Sequence, residues 1–204
     1  MPTATQPDKG GSAAPPGLAT SERILAVAAE MTAEIGWAGV TMSALAERAG
    51  VSRQTVYNEW GSRDRLAQAM VLRELATFLD RVDAGFDAHP DSIREGTQAA
   101  IANVLDLACT NPLLAAIVTA THGAETELVP LLTTRADVVI AVASERVRVR
   151  LAAYPGVALD ALETTVDLLV RTVLSHVMQP SADSSDVPRS LAGAVTRLLT
   201  SPQT

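Results

Sequence analysis

The chain has 204 residues, 48% of them apolar but only 3% aromatic, and carries a formal charge of -7 with a pI near 4.9. That length allows one large domain or two small ones sharing a boundary, and the acidic balance excludes a global positive field that draws the protein to nucleic acid. Cys109 is the only cysteine, which excludes an intrachain disulfide framework and fits a reducing cytoplasm.

With so few aromatics, Ala, Leu and Val must build most of the core, and a core of small aliphatic side chains suits helix–helix packing. Residues 1–20, "MPTATQPDKGGSAAPPGLAT", contain Pro, Gly and Thr and no apolar run. They read as a disordered arm, and as neither a signal peptide nor a membrane anchor. From Ser21 the pattern becomes helical: Ile24, Ala28, Met31 and Ile35 recur at three- and four-residue intervals. Gly36 is placed to end that helix, with Trp37 and Val40 folding back over it. Thr41 is a good N-cap for a second helix running to about Arg48. Gly50 makes a turn, Ser52 caps a third helix through roughly Glu59, and Ser62 caps a fourth that extends towards Val82 with Asp64 in its first turn.

The remainder is also helical in pattern, so the fold class is all-α. "DSIREGTQAAIANVLDLA" places Ile93, Ala100, Ile101 and Leu105 on one side, and "NPLLAAIVT" is a short helix with Pro112 near its start. A long segment runs from about Ala124 to Ala153. Its "RVRVR" at 146–150 alternates like an edge strand, although the surrounding Ala, Glu and Leu favour helix. "ALDALETTVDLLVRTVLSHVMQ" has the clearest periodicity, with Leu162, Val166, Leu169, Val173 and Val177 forming an apolar stripe widened by Val170 and Leu174. A last helix spans Val187 to Leu199, with Leu191, Val195 and Leu198 expected inward.

Residues 41–59 have helix–turn–helix spacing. Ala44, Leu45, Ala49, Val51 and Val56 are placed to hold two short helices at a steep angle, and the second helix offers Arg53, Gln54, Thr55, Tyr57 and Asn58. Arg can pair with guanine O6/N7 and Gln or Asn with adenine N6/N7, while the free N–H groups after Thr41 and Ser52 can approach phosphates. The same side chains also suit an ordinary solvated helix corner. Arg23, Arg48 and Arg53 face Glu22, Glu30, Glu34, Glu47 and Glu59 across this region, so non-specific affinity is expected to be modest.

The ordered set "ILAVAAEMTAEIGWAGVTMSALAERAGVSRQTVYNEWGSRDRLAQAM", residues 24–70, resembles the N-terminal domain of TetR-family transcriptional regulators. The resemblance implies a DNA-binding domain over 21–66 and a helical ligand-binding and dimerisation domain over 67–204. It further implies a homodimer whose third helix enters the major groove of a palindromic operator. On that resemblance Thr41, Tyr57 and Arg63 are expected at the DNA backbone and Arg53, Gln54 and Asn58 at the bases; Ser52 is also expected at phosphate, and Ser43 and Thr55 are further candidate DNA contacts. Trp60 stands where phenylalanine is more usual, and Gly61 where proline is common. Glu59 either accepts from a cytosine N4 group or pairs with Arg63 four residues on.

By the same analogy the middle helices enclose an effector pocket, and the last two long helices form the dimer interface. Leu162, Val166, Leu169, Val173, Val177, Leu191 and Val195 are its expected contacts, although the stripe alone leaves open whether it faces its own chain or a partner. A nearly aromatic-free lining favours a small hydrophobic effector, lipid-like or aliphatic, over a planar one. Asn103, His122, Arg135, Arg171 and His176 are the candidate polar anchors. His89, His122 and His176 lie far apart without a nearby Cys or acidic ligand pattern, and "KGGSAAPPG" lacks phosphate-loop spacing, so no metal, cofactor or catalytic site is expected. The competing reading is an all-helical adaptor that retains the helix–turn–helix corner as scaffold.

Overall fold

In the computed structural model, which describes residues 19–120, 136–179 and 184–200, the chain is built of helices, with no strand among the described residues. They are α1 (Thr20–Gly39), α2 (Met42–Arg48), α3 (Arg53–Trp60), α4 (Arg63–Asp87), α5 (Ile93–Thr110), α6 (Pro112–Ala120), α7 (Ala136–Ala152), α8 (Leu159–Met178) and α9 (Val187–Thr200). A short 3-10 turn at Ser184–Asp186 precedes α9. Most of the proposed N-terminal arm lies outside the described residues, and Thr20 is already helical.

Side-chain caps set where the helices start. The Thr41, Ser52, Ser62 and Ser92 hydroxyls accept from the backbone N–H three residues on, at 3.1, 3.0, 3.2 and 3.3 Å. Asn111 Oδ1 does the same for Leu114 N at 2.8 Å, directly before Pro112, which has no N–H to satisfy. Gly36 breaks the regular path of α1, with φ 73 and ψ 159, and turns Trp37 and Val40 back into the interior.

Two cores result. The first gathers Ile24, Ala28 and Met31 of α1, Leu45 of α2, Val56 of α3 and Leu66 and Met70 of α4. The second gathers Val82 and Phe86 of α4, Ile101 of α5, Val147 and Leu151 of α7, Leu162 to Val177 of α8 and Val195 and Leu199 of α9. Two elements belong to both. Helix α4 runs unbroken between them, five residues beyond the expected end near Val82. Helix α6 sends Leu113 into the first core and Leu114 into the second.

Where α4 and α5 touch, Gly85 lies against the Ala100 backbone; a Cβ at position 85 would fall 2.3 Å from Ala100 N. The "RVRVR" run is helical. A strand would put Val147 and Val149 on one face, whereas Val147 and Leu151 are buried and Val149 is exposed. Its arginines are paired outward, Arg146 to Asp83, Arg150 to Asp87 and Arg148 to Glu145.

The 162–177 stripe, expected at a partner, packs largely against its own chain. Leu162, Val166, Leu169 and Val177 of α8 and Val195 of α9 are buried within their own chain, and Val173 and Leu191 pack half-buried against the same core. The buried members have little surface left for a second subunit to cover, while Val173 and Leu191 keep part of theirs. On α9 the inward register is Leu191, Val195, Leu199, in steps of four. Leu198, expected inward, is exposed, and Leu199 takes the core position.

Candidate nucleic-acid interface and apolar cavity

The α2–turn–α3 corner is held from beneath. Leu45, Ala49 and Val56 are buried, with Ala44, Val51 and Trp60 packed against them. Gly61 closes α3 with φ 70, and its N–H donates to Tyr57 O at 2.8 Å. This leaves Arg53, Gln54, Tyr57 and Asn58 on the outer face of α3, with Thr41 and Ser43 exposed at the start of α2.

The outer side chains are already organised. Gln54 Nε2 donates to Asn58 Oδ1 at 2.8 Å, leaving the remaining amide O and NH2 groups for base edges. The Arg53 guanidinium lies over the Tyr57 ring, 5.5 Å from its centroid. Ser52 Oγ and Thr55 Oγ1 share a hydrogen bond of 2.8 Å in addition to the cap, so both hydroxyls are engaged at the helix start.

Two of the arginines near this surface are committed elsewhere. Arg48 forms a forked pair with Glu34, with Nη2 to Oε1 at 2.6 Å, which holds the Glu34 carboxyl below its ordinary range chiefly through those hydrogen bonds. Arg63 turns inward. Its Nε donates to Val40 O at 3.1 Å, an Nη donates to Trp37 O, and the guanidinium sits 4.5 Å from the Trp37 ring centroid. Arg63, expected at phosphate, instead clamps the α1–α2 connection beneath the reading surface in the absence of DNA. Arg65, two residues further along α4 and exposed, is the basic residue at that helix start whose side chain faces solvent.

The second feature is a cavity of about 150 Å³ among α4, α5, α6, α7 and α8. Its wall includes Phe78, Val82, Val104, Leu114, Val147 and Leu174. None of the three expected anchors that fall among the described residues lines it. Asn103 Nδ2 donates to Arg81 O at 3.2 Å and ties α5 to α4. Arg171 Nε pairs with both Asp167 oxygens at 2.8 and 2.9 Å on the exposed face of α8, and His176 lies off the wall formed by Val173, Leu174, Val177 and Met178. His122 and Arg135 lie outside the described residues.

The residues that sequence reasoning missed are Glu74 and Thr97, which do line the cavity. The signal for Thr97 was present: it occupies an inward position in the apolar series Ile93, Thr97, Ala100, Ile101, Val104 on α5. No group of His, Cys, Asp or Glu able to hold a metal occurs among the described residues, and no described helix is long and apolar enough to cross a membrane.

Comparison with known proteins agrees with this layout. Residues 24–70 match the family described as bacterial regulatory proteins, tetR family, and residues 92–197 match the bacterial tetracyclin repressor, C-terminal domain. The chain is 32% identical over 164 residues to the HTH-type transcriptional regulator AlkX of Mycobacterium tuberculosis, covering 78% of this chain and 75% of that protein. Its fold superimposes with a TM-score of 0.70 on the TetR family repressor AlkX from Dietzia sp. strain DQ12-45-1b, a protein implicated in biodegradation of n-alkanes. The two are 25% identical, with 87% of this chain and 94% of that one covered. A TetR-family transcriptional regulator from Streptomyces coelicolor shares the fold at a TM-score of 0.59 and 20% identity, over 88% of this chain and 97% of that one. A helix–turn–helix corner with an outward α3, joined through α4 and α6 to a helical body matched along most of its length, makes this chain a member of the TetR family of DNA-binding transcriptional regulators.

Proposed function

We propose that the protein is a cytoplasmic homodimeric repressor that binds a palindromic operator through α3 and leaves it when a small aliphatic molecule fills the cavity. The observation that carries this reading is the shared wall. Leu113 belongs to the core of the reading domain, Leu114 to the core of the body, and both line the cavity. A ligand that pushes on α6 therefore acts on both cores at once. The carbon-lined wall matches the chemistry of the Dietzia relative, which is implicated in biodegradation of n-alkanes.

Gln54 and Asn58 read bases, while Tyr57, the N–H groups behind Thr41 and Ser52, and Arg65 hold the backbone. The boundary near Leu66 and Ala67 is functional rather than structural, since α4 crosses it unbroken. Dimerisation uses the outer faces of α8 and α9, where Leu168 and Leu198 stay more than half exposed in the single chain.

Selection of bound duplexes from random DNA tests the reading. An enriched palindrome is expected, with Gln54→Ala relaxing preference at one position per half-site and Tyr57→Phe weakening all sequences evenly. No enriched palindrome at any salt concentration would refute operator binding. Retention of a selected operator in saturating aliphatic ligand would refute effector-driven release.

A further inference from the structure

The direction in which α3 faces can be read from its buried side chain. Val56 is fully buried beneath the helix, and successive helical residues turn by about 100°. Gln54 and Asn58, two residues before and two after it, therefore each lie within about 20° of the point diametrically opposite. Arg53 and Glu59, three residues to either side, stand on the flanks, about 60° from Val56. The two amides are thus the part of α3 that enters a groove first.

These amides are joined, Gln54 Nε2 donating to Asn58 Oδ1 at 2.8 Å. Both residues are exposed, so the bond orients two side chains that packing leaves free. It also divides the hydrogen-bonding groups between them. Gln54 keeps its carbonyl oxygen and its second N–H, the acceptor–donor edge that matches adenine N6 and N7. Asn58 has its oxygen engaged and offers its two Nδ2 hydrogens. That donor edge matches guanine O6 and N7 and opposes the amino groups of adenine and cytosine. The joined heads lie closer together than the rise of about 3.4 Å between base pairs, so they address neighbouring pairs.

Resting on the operator-binding reading above, we propose that Gln54 and Asn58 form one reading unit that specifies adenine and guanine at neighbouring base pairs of each half-site. The base chosen by Asn58 depends on its bond to Gln54.

The test is selection of bound duplexes from random DNA by the full-length protein, native and with Gln54→Ala or Asn58→Asp, followed by titration of the selected operator carrying each base at the two positions. A good bidentate contact predicts discrimination of about tenfold at each position for the native protein. Gln54→Ala should erase the adenine preference at its own position. At the neighbouring position it should turn the preference from guanine to adenine, because the freed Asn58 oxygen restores an acceptor–donor edge. Asn58→Asp keeps an acceptor for Gln54 but offers no donor, so adenine should be retained while guanine gives way to cytosine. Both sites are exposed, so a native-like thermal melt shows that each variant is folded. Guanine preferred undiminished in Gln54→Ala, adenine lost in Asn58→Asp, or a native half-site without adenine and guanine at neighbouring pairs overturns the proposal while leaving operator binding intact. Absence of any enriched palindrome overturns both.

Discussion

Arg63 separates a structural role from a DNA-binding one more cleanly than any other residue of the reading domain. Replacing it with Ala removes an Nε–H···O bond to Val40 O, an Nη–H···O bond to Trp37 O and a guanidinium stacked 4.5 Å from the Trp37 ring. Val40 and Trp37 are themselves buried, at 2% and 6% exposure, so their carbonyls find few substitutes. Charge-assisted hydrogen bonds contribute roughly 1.5–3 kcal/mol and a cation–π contact roughly 0.5–2. Because the pieces share one partly exposed side chain, we expect a net loss of about 2–4 kcal/mol rather than their sum. For a chain of this size that lowers Tm by roughly 5–15 °C, or shifts the urea midpoint proportionately.

Arg63→Lys keeps the charge but not the planar fork, and should recover less than half of that loss. A phosphate contact makes the opposite forecast. Stability is unchanged in both variants, Lys restores DNA affinity, and Ala reduces the salt dependence of dimer binding by a slope of about two, one counter-ion per subunit. A native-like melt for Arg63→Ala together with that change in salt slope would refute the structural assignment.

Three further outcomes follow from the geometry. Gly85→Ala must separate α4 from α5, because its Cβ would lie 2.3 Å from Ala100 N and 2.4 Å from Ala100 Cα; a destabilisation of about 2–3 kcal/mol is expected by chemical denaturation, and an unchanged midpoint would mean the helices are less tightly apposed. Leu168→Glu and Leu198→Glu should yield folded monomers by sedimentation, since both sites are exposed in the single chain, whereas Leu162→Glu should abolish folding; a stable dimer in both exposed variants would place the interface elsewhere. The Glu34 carboxyl is held below its ordinary value of 4.5 by the hydrogen bonds from Arg48, so its contribution is present above that value and is lost as pH falls through the depressed folded value. Glu34→Gln should therefore flatten the acid limb of the stability–pH curve while leaving its alkaline side unaltered, and an acid limb as steep as that of the native chain counts against the pairing.

The reading domain was legible because its determinants are local. Caps at Thr41, Ser52 and Ser62, the break at Gly36 and the buried set Leu45, Ala49 and Val56 act within a few residues of one another. The inward contacts of Arg63 were not legible because its partners, Val40 O and Trp37 O, lie 23 and 26 residues back, and no periodicity reports such a pairing. The body failed in a characteristic way. Periodicity identifies which face of α8 is buried but not what buries it, and Leu162 to Val177 are as apolar against their own chain as they would be against a partner. The described anchor candidates fall off the cavity wall for a related reason. Asn103, Arg171 and His176 were singled out for their polarity, but polar groups on these helices are satisfied locally, by Arg81 O for Asn103 and by Asp167 for Arg171. A cavity whose wall carries almost no polar group leaves little trace in a search for polar residues.

The acidic charge of the chain acquires a specific meaning once the side chains are placed. Arg48 is held in a fork by Glu34 and Arg63 is turned towards backbone carbonyls, so two of the arginines nearest the reading helix stabilise the domain instead of adding field at its surface. What remains on that side is the two exposed cations Arg53 and Arg65 beside neutral donors and acceptors: the Gln54–Asn58 pair, the Tyr57 hydroxyl and the N–H groups of two capped helix starts. Neutral groups add little counter-ion release, so affinity depends on their being presented in the right positions and on two half-sites being engaged together. A DNA-binding regulator built this way is sensitive to small displacements. Helices α4 and α6 enter both the core under α3 and the wall of the cavity, so a shift imposed there moves contacts that no long-range attraction compensates. Weak electrostatic attraction and a cavity wall shared with the reading domain are, on this view, two parts of one means of release.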